Sequence, residues 1–376
     1  MPNYVQQNGT QSTLPLTGAQ ISVVYSHVAI GDYVSMRDLP PALRATTVDP
    51  PAIEVTAVAE AVELQFGLRG GYEPLVSERD QNFRLHTDDG RDFVIKIVSG
   101  SEPAAATAFQ IAILRHLHGA ADIIAPQVVP TIRGDGSGEI ADAGTLHTLR
   151  AVTWIDGEPL ETRALDEVLA RQFGVALARL DVALQGLTHP GENQVLAWDL
   201  QRVADLRGLL DEIDDTAVFS VVSGAMDDYE SRVLPIKQQL PSQVIHGDAN
   251  PGNVLTSPEG IAFIDFSDGV KAPRIFDLAI AAAYLRPEGD DPSALIAPCI
   301  AGYQSIAQLE EIEQNLLFDL VRARLATTIT MLYWRLGARD VDDPYRQKTL
   351  DLEKSAAVFL RQLSDFGRER FVRKTR

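Results

Sequence analysis

The chain has 376 residues, of which 45% are hydrophobic and 23% charged, a composition that fits a globular protein with about two lobes or domains. Lys and Arg total 33 against 52 Asp and Glu, so the formal net charge is −19, which argues against nucleic acid or an anionic membrane as a partner. Cys299 is the one cysteine, which excludes a disulfide within the chain and a Cys-based zinc site.

The single cysteine also predicts a reducing, cytoplasmic setting. The first residues contain no basic segment followed by an apolar run, which argues against a signal peptide. The longest apolar run, residues 276–285, is interrupted by Asp277 and is too short to cross a bilayer. We therefore expect no membrane and no nucleic acid as partner, and the sequence is compatible with a homodimer.

The first part of the chain predicts an extension followed by a small sheet. Residues 1–50 are rich in Gln, Asn, Thr and Pro and are expected to be partly ordered, as either a docked arm or a mobile tail. Residues 53–66 carry apolar side chains at helical spacing. Lys96 lies on the third of three strands, and an Asp-Asp-Gly turn joins the second to the third. The predicted strands are 72–76, 82–87 and 91–98.

A helix at 103–117 and strands at 127–132 and 146–155 extend this region, and residues 133–144 are expected to be a loop. After residue 157 the pattern is mostly helical. The predicted helices are 165–184, 199–212, 217–234, 276–285, 293–309, 316–335 and 345–366. The order of elements predicts an α+β fold with two lobes, a small antiparallel-sheet N-lobe over residues 51–156 and a larger helical C-lobe over residues 157–376.

The residues that predict chemistry lie between His246 and Asp265, where two apolar strands frame a polar loop. Asp248 follows His246 by two positions, Asn253 comes five residues later, and Asp265 ends the second strand twelve residues after that. Turn formation alone explains the Asn-Pro-Gly within the loop. It does not explain an Asp that closes an apolar strand.

Phosphoryl transfer from a nucleotide needs a small set of groups, each with a fixed task. One carboxylate holds and deprotonates the attacking hydroxyl, a carboxylate and an amide hold Mg²⁺, and a Lys neutralises phosphate charge. Together Asp248, Asn253, Asp265 and Lys96 supply these functional groups.

The His-Gly-Asp motif at residues 246–248, with Asn253 and the Ile-Asp-Phe at 264–266, resembles the aminoglycoside phosphotransferase and choline kinase family. The similarity covers residues 53–366 and implies a protein-kinase-like fold with two lobes. Several shorter segments further resemble the hydroxylysine kinase branch of that family, and these are residues 75–83, 153–157, 189–190 and 198–200.

The resemblance implies a role for each matching residue. Asp248 is expected to be the catalytic base, with His246 beside it in the catalytic loop, and Asn253 and Asp265 are expected to bind Mg²⁺. Asp277 matches a position that braces the catalytic loop, although it also reads as a carboxylate at a helix N-terminus. The residues expected to bind ATP or GTP are Lys96, Ser77, Arg79, Gln81 and Asn82 near the phosphates, and Thr153, Trp154 and Ile155 near the base.

The sequence departs from the family pattern at two places. The phosphate turn lacks the glycines of a protein-kinase loop, so backbone N–H groups of residues 79–82 would approach the phosphates instead. In the family, the strand Lys normally pairs with a Glu on a helix, but here Gln110 lies near the expected place and Glu102 lies earlier in the chain. Either Gln110 or Glu102 is the expected neighbour of Lys96.

For the acceptor, the C-terminal helices supply the candidate ligands. An Arg suits a carboxylate and a Trp suits a cation. Arg322 has the strongest case because it interrupts an otherwise apolar stretch, residues 316–332. The full set of candidates is Tyr303, Arg322, Arg324, Trp334 and Arg335.

The sequence thus predicts a small-molecule kinase that moves the γ-phosphoryl group of ATP or GTP to a hydroxyl on a small amine or amino acid. By resemblance, 5-hydroxylysine or a related hydroxy amino acid is the leading acceptor. Homoserine, an amino alcohol such as choline or ethanolamine, and an aminoglycoside are the alternatives within the family. A nucleotide-binding module without catalysis and a scaffold protein are the alternatives of other classes.

Overall fold

The computed structural model describes Leu43 and residues 50–75, 77, 79–120, 122–337 and 344–376, apart from the side chains of residues 335–353. The expectation of a partly ordered extension therefore falls almost wholly outside the described residues. Leu43 is the exception, and its side chain is completely buried in the main hydrophobic core.

Among the described residues, six antiparallel strands form the N-terminal sheet, in the order β1-β2-β3-β6-β4 with β5 paired to β6. One helix, α1 (Val55–Phe66), precedes the sheet. The strands are β1 (Gly70–Leu75), β2 (Gln81–Thr87), β3 (Asp92–Ile97), β4 (Val128–Val129), β5 (Gly138–Asp142) and β6 (Thr145–Thr153). Strand β5 lies within the segment predicted as a loop. It was not predicted because Gly and Asp residues are typical of loops, whereas here they accompany a short hairpin between β5 and β6.

Alternation along β3 fixes the direction of Lys96. Phe93, Ile95 and Ile97 are buried in a core shared with α1, so the residues between them face the other side of the sheet. Lys96 pairs in register with Asn82 on β2 and Arg150 on β6. These three polar side chains therefore share the face opposite α1.

The second half of the described chain is mainly helical, as predicted, and the two parts form the two-lobed, kinase-like α+β fold. Helix α2 (Ala104–Leu117) lies between β3 and β4 in the chain. The α-helices of the second half are α3 (Glu167–Ala183), α4 (Thr216–Asp228), α5 (Ile275–Ala283), α6 (Ile296–Gln304), α7 (Glu311–Gly337), α8 (Pro344–Phe366) and α9 (Arg368–Thr375). The predicted helix at 199–212 is a 3-10 helix, Leu200–Glu212. The helix predicted at 217–234 is α-helical to Asp228 and continues as a short π-helix, Tyr229–Val233. No described helix is both long and apolar enough to span a bilayer.

Two small sheets in this lobe frame the loops that carry the residues predicted to be catalytic. One contains β7 (Glu158–Pro159), β9 (Val254–Ser257) and β10 (Gly260–Phe263), and the other pairs β8 (Ser242–Ile245) with β11 (Val270–Pro273). The loop from β8 to β9 carries residues 246–253, and the loop from β10 to β11 carries Asp265. The apolar strands are anchored in the core, so the polar loops between them are held at one edge.

Helices α3 and α6 approach each other closely because each has a glycine at the contact. A Cβ on Gly174 would lie 1.9 Å from the carbonyl oxygen of Cys299, and one on Gly302 would lie 2.1 Å from that of Arg171. These positions accept no side chain unless the helices separate.

The variant Gly174→Ala is expected to destabilise the protein by about 1–3 kcal/mol, because the added methyl group overpacks this contact. Gly224→Ala, in α4 with no atom within 4 Å of its Cβ, is the matched control and should be neutral or stabilising by up to about 1 kcal/mol. Urea unfolding measures both, and equal stabilities for the two variants would contradict the close helix contact.

Candidate active site

The loop that begins at His246 is braced by one buried carboxylate. Asp277, in the first turn of α5, accepts the backbone N–H of His246 at 2.8 Å and that of Gly247 at 2.9 Å. Gly247 has φ of +79°, and a Cβ there would lie 2.2 Å from the carbonyl oxygen of Asp268. The structure thus shows that Asp277 braces the loop, in addition to standing at a helix N-terminus.

A second carboxylate lies behind Asp277. Asp181 is buried and accepts the hydroxyl proton of Tyr303 at 2.6 Å. Burial and the neighbouring Asp277 charge raise the pKa of Asp181 well above its usual range. Of the two carboxyl groups, Asp181 is the one that we expect to be protonated, because Asp277 accepts two backbone N–H groups that favour its charged form.

His246 is completely buried and acts on the loop from the inside. Its Nδ1 accepts the backbone N–H of Asp248 at 3.3 Å, so its Nε2 carries the proton and donates to the carbonyl oxygen of Ile264 at 3.0 Å. The ring also packs against Phe266 with centroids 4.6 Å apart. His246, predicted as a catalytic residue, therefore positions Asp248 without facing the cleft.

Asp248 is held at both of its carboxylate oxygens. Oδ1 accepts from Nη2 of Arg324 at 2.6 Å, and Oδ2 accepts from the amides of Asn250 at 2.8 Å and Asn253 at 3.0 Å. Burial raises the pKa of Asp248 above its usual value, opposed by the Arg324 charge and reinforced by Asp268. A raised pKa makes a carboxylate a stronger proton acceptor, which suits a general base.

Arg324 is the arginine that reaches this carboxylate. It is buried, donates Nη1 to the carbonyl oxygen of Trp198 at 2.8 Å, and lies 5.6 Å and 5.8 Å from the ring centroids of Trp198 and Tyr284. It also donates to the Tyr284 hydroxyl at 3.3 Å. These contacts fix the guanidinium beside Asp248.

The preference for Arg322 as acceptor ligand is wrong. Its guanidinium bonds to Asp228 and to the hydroxyl of Ser364, and it lies over the ring of Phe318, away from the cleft. Residues two apart on an α-helix point roughly 200° from each other, so Arg322 and Arg324 face opposite sides of α7.

Two other acceptor candidates are also misplaced. Tyr303 is completely buried in the network with Asp181, so it cannot touch a ligand in the cleft. Trp334 packs against the main core and does not line the cleft. The side chain of Arg335 lies outside the described part of the structure.

The two predicted metal ligands meet beside Asp248. Nδ2 of Asn253 donates to the carbonyl and carboxylate oxygens of Asp248, which turns its amide oxygen away from Asp248. Asp265 has a left-handed backbone, with φ of 56°, and its carboxylate side chain is 40% exposed. Burial favours a higher pKa for Asp265, but Lys96, Ser267 and Arg79 more than offset it and lower the pKa overall. An ionised carboxylate and a free amide oxygen are hard ligands that fit Mg²⁺.

Lys96 pairs with the predicted metal ligand and not with a helix residue. Its ammonium donates to Oδ1 of Asp265 at 3.0 Å. Glu102 instead accepts from the hydroxyl of Thr107 at 2.8 Å and from the amide of Gln110 at 3.2 Å. The two expected neighbours of Lys96 therefore bond to each other.

The phosphate turn contributes four residues to the cleft, which are Ser77, Arg79, Asp80 and Asn82. The Ser77 hydroxyl accepts the backbone N–H of Asp80 at 3.2 Å, and Arg79 donates to Asp268 at 2.8 Å. The buried amide oxygen of Asn82 has no hydrogen-bond partner among the described residues. An unsatisfied buried amide oxygen is available to a ligand donor.

Gln81 does not face the cleft. Both ends of its side chain bond to the backbone of Ile53, with the N–H of Ile53 donating at 2.9 Å and its carbonyl accepting at 2.8 Å. The Gln81 side chain is therefore unavailable to a nucleotide, and the contact of its backbone N–H with the phosphates stays a prediction. The side chain ties the segment before α1 to β2.

The segment expected near the base is well ordered by local contacts. The backbone N–H groups of Thr153 and Trp154 donate to the carbonyl oxygens of Gln127 and Asp92 at 2.9 Å and 3.1 Å. Arg84 lies 4.0 Å above the Trp154 ring. A contact between the nucleotide base and Thr153, Trp154 or Ile155 stays a prediction.

Asp248, Asn253, Asp265 and Arg324 line one cleft of about 1080 Å³, together with the residues of the phosphate turn. The N-terminal sheet region contributes Arg79 and Asn82 to this cleft, and the second lobe contributes Asp248, Asp265 and Arg324. Among the described residues, no cluster of three or more His, Cys, Asp or Glu side chains could hold a metal. A cation here would rely on Asn253 and Asp265 together with oxygens of the phosphates and water.

Residues 71–313 match the model of the Phosphotransferase enzyme family, APH. The chain belongs to this phosphotransferase family. It is 25% identical over 347 residues to a hydroxylysine kinase of Danio rerio, a match that covers 88% of this chain and 97% of that protein. A homoserine kinase of Nitrobacter winogradskyi is 25% identical over 259 residues, covering 67% of this chain and 76% of the relative.

Solved structures confirm the fold. A microcompartment-associated aminopropanol kinase aligns with a TM-score of 0.67 at 16% identity, covering 86% of this chain and all of that one. An amicoumacin kinase in complex with AMP-PNP, Ca²⁺ and Ami aligns with a TM-score of 0.65 at 16% identity, covering 83% and 94% of the two chains. The predicted family and the two-lobed kinase-like fold are thus confirmed, and the chain is a phosphotransferase.

Replacement of the bracing carboxylate is expected to destabilise the protein. Asp277→Asn retains one acceptor oxygen where the backbone presents two buried N–H groups, so unfolding should become easier by about 1–3 kcal/mol in urea. The control Asp205→Asn removes an exposed pair with Arg202 and should change stability by less than about 0.5 kcal/mol. Equal stabilities of the two variants would show that Asp277 does not hold the loop.

Proposed function

We propose that this enzyme transfers the γ-phosphoryl group of ATP or GTP to the hydroxyl group of a small amino acid, with 5-hydroxylysine as the leading acceptor. One observation carries the proposal: the carboxylate of Asp248 stands in the cleft, oriented by Arg324 and Asn253, next to the expected metal ligand Asp265. The hydroxylysine kinase relatives, which match over most of the chain, support the choice of acceptor.

Asp248 would accept the proton of the attacking hydroxyl. Its Oδ1 is bound to Arg324 and its Oδ2 to two amides, so the carboxylate cannot rotate freely and is aimed before the acceptor arrives. Positioning and electrostatic stabilisation account for most catalysis of phosphoryl transfer, because the transferred group needs little covalent assistance.

Positive side chains flank the position proposed for the phosphates. Lys96 and Arg79 would neutralise the charge of the phosphates from the sheet side, and Arg324 supplies a cation beside Asp248. Asn253 and Asp265 would hold Mg²⁺, which when bound supplies charge neutralisation at the phosphates. Asn82, with its unpartnered amide oxygen, is a further candidate contact for the nucleotide.

Homoserine is the second candidate acceptor, because a homoserine kinase matches 67% of the chain. It shares with hydroxylysine a hydroxyl, an amino group and a carboxylate. The amino alcohols and aminoglycosides are represented among the solved structures of similar fold, at identities near 16% that inform on the fold alone.

A coupled assay of nucleotide consumption, with ATP and GTP in parallel, tests the proposal over hydroxylysine isomers, homoserine, choline, ethanolamine and aminoglycosides. We expect turnover with hydroxylysine, and we expect Asp248→Asn to reduce it by about 10³-fold or more while nucleotide binding persists, since the base acts in the chemical step. If none of the acceptors is turned over, a nucleotide-binding module is favoured. Full turnover by Asp248→Asn would contradict the role of Asp248 as the base.

The pH dependence of kcat/KM is expected to report the ion pair of Asp248. Activity should fall as pH drops through the pKa of Asp248, because the protonated carboxyl cannot accept a proton. Arg324→Gln removes a charge that lowers this pKa, so the acid limb should move to higher pH, whereas Arg324→Lys keeps a charge and should move it less. Identical acid limbs in the wild type and Arg324→Gln would contradict this assignment.

A further inference from the structure

A second arginine lies on the Arg324 side of the cleft. Arg286 follows α5, lines the cleft, and is 5.9 Å from the ring centroid of Tyr284. The hydroxyl of the same Tyr284 accepts from Arg324, which holds Asp248. Arg286 is therefore one aromatic ring away from the group that orients the catalytic carboxylate.

The contacts of Arg286 leave its charge without a carboxylate among the described side chains. Nη1 donates to the hydroxyl of Ser355 at 2.8 Å, and the buried Nε has no hydrogen-bond partner. Burial lowers the pKa of Arg286, and the neighbouring Tyr284 opposes this effect. A partly buried guanidinium that bonds only to a neutral hydroxyl gains free energy by binding an anion.

The other arginines that line the cleft differ in this respect. Arg324 pairs with Asp248 at 2.6 Å, Arg79 with Asp268 at 2.8 Å, and Arg163 with Glu158 at 3.0 Å. The formal net charge of the chain is −19, so carboxylates are plentiful, yet none of the described ones pairs with Arg286. Within the described cleft, Arg286 is the guanidinium most available to an anion.

We propose that Arg286 binds the carboxylate of the acceptor and thereby restricts the enzyme to hydroxy amino acids, against amino alcohols that lack a carboxylate. This inference rests on the proposed function, since it assigns one end of the same acceptor. The hydroxyl would lie at Asp248 and the carboxylate at Arg286, with Arg324 and Tyr284 between them. Glu161 and Asp268 also line the cleft and offer carboxylates to the amino groups.

Arg suits this task because its planar fork matches a carboxylate with two parallel hydrogen bonds. A lysine at the same position would keep the charge but lose the fork. An amino alcohol in this cleft would leave the partly buried Arg286 without an anion, which costs binding free energy. Arg286 would thus favour hydroxy amino acids by bonding their carboxylate, and it would disfavour amino alcohols because they leave its charge unpaired.

Matched acceptor pairs test the inference. Hydroxylysine is compared with its decarboxylated counterpart, a diaminopentanol, and homoserine with 3-aminopropanol. We expect the wild type to prefer the carboxylate member of an accepted pair in kcat/KM. Arg286→Gln should lower kcat/KM for hydroxylysine by about 10- to 100-fold and leave that for diaminopentanol within about threefold. Arg286→Lys should fall between the wild type and Arg286→Gln.

The ratio of two acceptors within one variant cancels any loss of folded protein, and Arg202→Gln, an exposed arginine outside the cleft, controls for removal of a positive charge. If Arg286→Gln lowers kcat/KM equally for both members of a pair, or for neither, the inference is overturned while the proposed function stands. If the wild type phosphorylates no hydroxy amino acid but retains nucleotide binding, the proposed function fails and the inference falls with it.

Discussion

The rest of the site depends on the ion pair between Asp248 and Arg324. A carboxylate in a partly desolvated cleft needs a partner to remain charged, and the 2.6 Å contact of Asp248 with a buried guanidinium provides one. Arg324 belongs to α7, whereas Asp248 belongs to the loop after β8, so this pair ties the catalytic loop to the helical core. Asp277 also holds this loop, because its carboxylate accepts two of the loop's backbone N–H groups.

Charge is arranged differently on the two sides of the cleft. On the sheet side, Lys96 and Arg79 are paired with Asp265 and Asp268, which places cations next to the oxygen ligands that a phosphate-bound Mg²⁺ would use. The sheet alternation that buries Phe93, Ile95 and Ile97 is what aims Lys96 there. The helical side carries Asp248, the proposed base, and, at Arg286, a cation without a carboxylate among the described residues. The first arrangement suits phosphate and the second suits a carboxylate-bearing acceptor.

The fold and the core of the site could be predicted from the sequence because their signals are local. Residues 246–253 and Asp265 are close in the chain, and the strands around them set their geometry. The choice between Arg322 and Arg324 failed because α7 is apolar on most of its sides, so its pattern gives no rotational phase. The bonds between the Gln81 side chain and the backbone of Ile53 were not predicted, because the two residues are 28 positions apart in the chain. No sequence pattern marks Arg286, because what distinguishes it is the lack of a carboxylate partner among the described residues, which only the structure reveals.

The most direct test of the account is phosphorus NMR of a reaction that contains the enzyme, Mg²⁺, ATP or GTP, and 5-hydroxylysine. Phosphoryl transfer to the hydroxyl predicts a new phosphomonoester resonance that is coupled to the methine proton of hydroxylysine and that grows in equal amount with the nucleoside diphosphate. Formation of the diphosphate with inorganic phosphate alone, and no phosphomonoester, would contradict an acceptor kinase in which Asp248 activates a bound hydroxyl.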